Sequence, residues 1–322
     1  MVLLSRLLRV RGRLFPHPGL PLVLTGLAAL ALAASLLLAP ASPAGADPAR
    51  IAGLATAADL QALAARGTVR LGFHPSAAPF SSKAEGGAPD GYSVALCREV
   101  VTAAEALLGG ELEVVYVPVL SETRFAQLNA APDDPKRVDI LCESTTLTLA
   151  RRFARAEFSL PTFLTGGSVL YRVSTGSRFA DLDGHGIGVV RGTTADTQLS
   201  ALIADSALDI DIDRFATSEE GVAALRAGAI EALFDDHALL TRLADDLELG
   251  GEFAVSARLL SYEPYALAVP QGAHGLRHLV DVTLVELYRS RRIDALIERY
   301  FDERTVPPLL DDAFTVLALP VD

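Results

Sequence analysis

Apolar runs of strand length alternate with stretches of helical spacing over most of the chain. The runs at 68–73 (TVRLGF), 111–119 (ELEVVYVPV), 138–142 (VDILC), 168–173 (SVLYRV), 186–190 (GIGVV), 230–234 and 265–269 read as strands. Short continuous apolar runs are what strands buried on both faces require. Between them, 93–108 sets Val94, Cys97, Val101, Ala104 and Leu108 at helical spacing. Shorter helices are predicted over 123–129 (Ser121 a candidate N-cap), 194–205, 219–227 and 238–246, and one long helix over 276–301. This alternation predicts an α/β fold of mostly parallel sheets flanked by helices, and the strands suit two sheets better than one. Ligands in such sheets sit beyond the carboxyl ends of strands, at helix N-termini.

The first 46 residues follow another pattern. Arg6, Arg9, Arg11 and Arg13 precede an uncharged apolar run over 20–39, and Ala44-Gly45-Ala46 closes it. A basic start, an apolar stretch and a small-x-small end read as a secretory signal peptide cleaved before Asp47. An uncleaved N-terminal membrane anchor is the alternative, because the apolar run is about long enough to span a bilayer. Either way the body is expected outside the cytoplasm, in the periplasm, under oxidising conditions.

Composition narrows the choice of partner. The chain has 322 residues, 50% hydrophobic, with net charge −12, enough to bury substantial cores. Its four N-terminal arginines lie in the export segment, so the body is more acidic than the whole and a poor binder of nucleic acid. Only Cys97 and Cys142 occur, which excludes a zinc-cysteine cluster; a disulfide and two buried thiols both stay open. Gly184-His185-Gly186-Ile187-Gly188 precedes a strand rather than following one, so it reads as a turn and not a dinucleotide loop. His274 and His278 lack a third ligand and read as solvent-facing. Neither cofactor nor metal is expected.

The segments after the strands carry the chemistry. TVRLGF is followed by His74, VDILC by Glu143-Ser144-Thr145-Thr146 and then Arg151-Arg152, GIGVV by Arg191-Gly192-Thr193-Thr194, and IEALF by Asp235-Asp236. Hydroxyls and an arginine suit a carboxylate; an aspartate with a hydroxyl suits an ammonium. Singly, each Ser or Thr reads as a helix cap and each charge as a solvated surface group. Together, after successive strands, they match an α-amino-acid zwitterion.

At this point the chain resembles the periplasmic amino-acid-binding proteins of ABC importers, the bacterial extracellular solute-binding proteins of family 3, nearest to the glutamate/aspartate-binding branch. The resemblance rests on GFHPSAAPFS (72–81), DGYSVALCREVV (90–101), VLSETRFAQL (119–128), VDILCESTT (138–146), AEFS (156–159), VVRGTTADTQL (189–199), AIEALFDDHALL (229–240) and EPYALAVP (263–270), in family order. It implies a type II periplasmic-binding-protein-like fold with two hinge strands. Lobe 1 would take 67–161 plus 266–305, lobe 2 would take 167–260, the crossings would lie near 162–166 and 261–265, and a C-terminal tail over 306–322 would form an extended strap or stay loose. It further implies Arg151, Thr146 and Thr194 on the ligand α-carboxylate, with Arg152 as the alternative register. Asp236 and Ser144 would hold the α-ammonium, with Asp235 the alternative. Arg124, Ser121, His74 and Ser218 would face the ligand side chain. His74 and Ser218 stand where that branch has an arginine and a histidine, and Glu143 replaces a glycine. The implied function is capture of a polar, first of all acidic, amino acid by hinge closure and its delivery to an ABC permease, by a monomer that is not an enzyme. Glutamine, asparagine or a modified amino acid are the other ligands. A dehydratase-like cleft enzyme, with Glu143 as general acid, and a membrane-anchored sensor are the competing functions.

Overall fold

The computed structural model describes residues 53–83 and 86–319; the export segment predicted for 1–46 lies outside them. Thirteen strands follow in chain order among these residues. They are β1 Thr68–Phe73, β2 Ser76–Ala77, β3 Ser81–Lys83, β4 Pro89–Asp90, β5 Glu113–Pro118, β6 Ile140–Leu141 and β7 Glu157–Thr165, then β8 Gly167–Arg172, β9 Gly186–Val190, β10 Asp211–Phe215, β11 Ala232–Asp236, β12 Phe253–Val255 and β13 Glu263–Val269.

Two five-stranded sheets result, ordered β5-β1-β6-β13-β7 and β10-β9-β11-β8-β12, and the short β2, β3 and β4 form a small antiparallel third sheet. Each has the same plan. Three parallel strands (β5, β1, β6 or β10, β9, β11) are extended by two antiparallel ones (β13, β7 or β8, β12). Five of the six parallel strands fall on the apolar runs of the sequence; β10 (DIDRF), at the sheet edge, carries three charges and was not expected. The first sheet is covered on one face by the helices Ala58–Arg66, Tyr92–Leu108, His274–Arg289 and Leu309–Leu317, around Leu71, Leu96, Val100, Leu284 and Tyr288. Its other face packs Val119, Leu128, Leu141 and Phe158. The second sheet likewise buries Ile187, Val189 and Phe234 on one face and Leu170, Leu225 and Leu233 on the other. This is the expected type II arrangement.

The chain passes from one sheet to the other between Thr165 and Gly167 and returns before Glu263. Gly166 is required there by contact: a Cβ on it would collide with the carbonyl oxygen of Ser261 on the returning segment. Cys97 and Cys142 form a disulfide, Cα–Cα 6.1 Å, joining the helix Tyr92–Leu108 to the end of β6.

Three local expectations change. The single helix expected over 276–301 is two, His274–Arg289 and Arg292–Tyr300, broken where Arg291 turns left-handed at φ 59°. Ser121 does not cap the helix Arg124–Leu128, which starts from Thr123; this leaves Ser121 free for the cleft described below. The tail is not an extended strap. It folds into the helix Leu309–Leu317, burying Leu310 and Phe314, with Phe314 stacked on Tyr288.

Candidate functional site

The carboxyl ends of the six parallel strands converge on one cleft. His74 follows β1, Ser121 and Arg124 follow β5, and Ser144 and Thr146 follow β6. Facing them, Val190 ends β9, Thr193 and Thr194 follow it, Thr217 and Ser218 follow β10, and Asp235 and Asp236 end β11. These side chains close on one another, leaving only about 30 Å³ of free space between them. Gly192 brings the two walls together: its φ is +76°, and a Cβ there would stand 2.9 Å from the Glu122 Cα across the cleft.

The paired hydroxyls divide their work. Thr193 and Thr217 cap the helices Thr194–Ala204 and Ser218–Arg226, each accepting a backbone N–H two residues into the helix. The next residue of each pair, Thr194 or Ser218, turns into the site. Thr148 similarly caps the helix Leu149–Ala154, which fixes the direction in which Arg151 leaves it.

Eight of the nine site residues expected from sequence line this cleft: His74, Ser121, Arg124, Ser144, Thr146, Thr194, Ser218 and Asp236. Arg151 is half-buried and is not among the lining residues. Its Nη1 donates to the Thr146 carbonyl at 3.0 Å, and its guanidinium sits 5.5 Å from the Phe125 ring centre. Burial and the neighbouring Arg124 pull its pKa down to about 10, against the opposing pull of Glu143, Glu263 and Asp236. It therefore stays cationic at neutral pH. Arg152 is exposed.

Asp236 is buried, and it accepts the Tyr265 hydroxyl on Oδ2 while Oδ1 has no partner among the described residues. Burial raises its pKa well above the usual carboxylate range, with Glu263 and Asp235 adding repulsion. Asp235 is pushed up to about 6 by burial, although Ser218 donates to it at 2.6 Å. His74 is buried; its Nδ1 accepts the Ser76 N–H at 3.2 Å, and burial lowers its pKa, so it is neutral at pH 7. It is not the surface histidine that a lone His usually is.

Two carboxylates change the expected charge pattern. Glu143 is buried against Arg124, whose Nη1 reaches its two oxygens at 2.9 and 3.1 Å, and Thr145 donates to it as well. Glu263, on the returning strand, was not singled out from sequence. Its Oε2 accepts Thr146 at 2.6 Å and Thr194 at 2.7 Å, and its Oε1 accepts Gln198. A hydroxyl has one proton. As they stand, Thr146 and Thr194 thus present only lone pairs to the cleft, and they must rotate before they can donate to a ligand carboxylate. The Glu-Pro pair at 263–264 gave no sign of this, because the three donors come from distant segments.

Among the described residues no group of three or more His, Cys, Asp or Glu is arranged to hold a metal ion. No described helix is long and apolar enough to cross a membrane.

Comparison with known proteins agrees with this geometry. The L-glutamate/L-aspartate-binding protein of Pseudomonas aeruginosa is 28% identical over 266 residues, covering 80% of this chain and 86% of that protein. The glutamate/glutamine/aspartate/asparagine-binding protein BztA of Rhodobacter capsulatus is 29% identical, over 69% of this chain and 64% of its own length. Among solved structures, a mutant of ArgBP from T. maritima superposes with a TM-score of 0.64 at 25% identity, covering 76% of this chain and all of that one. The profile of the bacterial extracellular solute-binding proteins, family 3, matches residues 69–303. With two like-built sheets, a cleft at their strand ends and this match over most of its length, the chain belongs to the bacterial extracellular solute-binding proteins, family 3.

Proposed function

We propose that the protein is an extracytoplasmic receptor that captures a polar amino acid by closing two lobes on it and delivers it to an ABC permease. The observation that carries this reading is Asp236: buried on the cleft wall, with one carboxylate oxygen unpartnered and Arg151 within electrostatic reach. A buried carboxylate without a cation is costly, and an α-ammonium supplies one. The ligand's α-carboxylate then faces Arg151, with Thr146 and Thr194 turned from Glu263 towards it. Ser144 helps hold the ammonium.

The lobes run over about 67–161 plus 266–305 and about 167–260. The sheet membership of β1, β5, β6 and β7 with β13, and of β8–β12, supports these bounds. The 1–46 segment exports the chain to the periplasm, and the Cys97–Cys142 disulfide fits an oxidising compartment. The receptor works as a monomer and performs no chemistry. A dehydratase-like reading needs Glu143 as a mobile general acid, but both its oxygens are held by Arg124.

The test is a thermal-shift screen of the purified protein against the twenty amino acids. A ligand bound only by the folded state raises the melting temperature with its concentration. A flat response to all of them refutes the reading.

A further inference from the structure

The pocket's charges decide which polar amino acid it takes, given that it is an amino-acid receptor. Two guanidiniums, Arg124 and Arg151, stand among four carboxyls, Glu143, Glu263, Asp235 and Asp236, and His74 is neutral. Arg151 is assigned to the ligand's α-carboxylate. Arg124 alone remains for the side-chain end, and its charge is already balanced in contact by Glu143. A second ligand carboxylate placed on Arg124 would lie next to Glu143 in a site closed to water, where like charges repel strongly. At the same time the Arg124 Nε–H is buried and has no partner among the described residues. The pair thus offers one unpartnered donor on Arg124, while Glu143, buried outside the cleft lining, balances the guanidinium's charge. Ser121 adds a hydroxyl on the same wall.

We propose that Glu143, held on Arg124, selects an amino acid with a terminal carboxamide, of the glutamine or asparagine kind, over its acidic counterpart. The carboxamide oxygen accepts from the Arg124 Nε–H and its NH₂ donates to Ser121, while Glu143 cancels the Arg124 charge that a carboxylate would need. A carboxylate side chain has no proton to give and meets Glu143 with like charge.

Calorimetric titration of the purified protein at pH 7.5 with L-glutamine, L-asparagine, L-glutamate and L-aspartate tests this. One carboxamide amino acid is expected to bind at least tenfold tighter than its acid. Glu143→Gly is expected to shift that ratio at least tenfold towards the acid, by freeing Arg124. If that variant does not fold, the wild-type protein decides: lowering the pH to 4.5 protonates part of the glutamate side chain, and the glutamate-to-glutamine affinity ratio should rise several-fold. Equal or tighter binding of the acid at pH 7.5, an unchanged ratio at pH 4.5, or a preference for an amino acid outside this class overturns the inference and leaves the receptor reading intact. Binding of no amino acid overturns both.

Discussion

In the first sheet, the strands that reach the cleft hand over to charged side chains held by other charged side chains. Arg124 is locked to Glu143, and Arg151 is cationic and braced on the Thr146 carbonyl. The second sheet hands over to hydroxyls that begin helices and to two aspartates crowded together at the end of β11. The pairing sense along both sheets is the same, parallel, parallel, antiparallel, antiparallel, although the antiparallel strands enter at different points of the chain. The first half also carries a disulfide that ends one residue before Glu143, and it gathers Phe80, Tyr92, Phe163, Tyr265 and Phe301 into one aromatic cluster. The contrast teaches that a duplicated architecture need not divide its work evenly. One wall is braced by its own contacts; the other buries two crowded carboxyls that, on the proposed reading, a ligand's ammonium relieves.

Removing either charged end should break the comparison most severely. Arg151→Ala is expected to weaken amino-acid binding about 1,000-fold, because a buried carboxylate left without its cation costs about 3–5 kcal/mol. Circular dichroism should show an unchanged fold, and calorimetric titration reads the loss.

Replacing both cysteines by serine tests the rigidity of the first wall. The bridge closes a 45-residue separation, and the chain-entropy account assigns such a loop about 4 kcal/mol. Guanidinium unfolding should show a loss of that order.

The second wall should respond to pH. The Asp235 carboxyl is near pH 6 when folded, against the ordinary 3.8. A raised native pKa means that the folded state holds the proton more tightly. The stabilisation is complete below the unfolded value and is lost as pH rises through about 6. Its size is about 3 kcal/mol. Denaturation of the ligand-free protein between pH 4 and 7 should show this decline, and Asp235→Asn should flatten it. Binding should run the other way, weakening on acidification as Asp236 loses the charge that an ammonium needs.

Smaller effects sharpen the picture. Gly192→Ala puts a methyl group against the Glu122 backbone in a left-handed conformation. It should cost about 1 kcal/mol of ligand-free stability through the left-handed backbone, and about tenfold in affinity, about 1.4 kcal/mol. Thr193→Ala removes a helix cap and should cost about 1 kcal/mol of stability, while Thr194→Ala should act mainly on binding. Melting curves and titrations on the two variants separate capping from recognition.

The sequence carried much of this because most parallel strands announce themselves as apolar runs and the chemistry follows them directly; β10, with Asp211, Asp213 and Arg214 on a sheet edge, does not. His74, Ser144, Thr194 and Asp236 were legible for that reason. What escaped has physical causes. Strand β7 contains Pro161 and mixed polar positions, which an edge strand tolerates but periodicity does not reveal. The helix Leu149–Ala154 buries no residue, so it has no apolar stripe to read. The left-handed turn at Arg291 falls at a residue with no breaker chemistry. Glu143 was visible as an odd residue, but its grip on Arg124 was not, and Glu263 matters only because Thr146, Thr194 and Gln198 are brought to it by the tertiary fold.

Gly166 has a bearing on how such a molecule can change over generations. Where two main chains run too close for a methyl group, the pivot is built from backbone alone and offers selection almost nothing to adjust. On the proposed receptor reading, variation in how far the lobes close must then enter through the flanks, such as Ser261 or the segment before it, while the crossing itself stays the same.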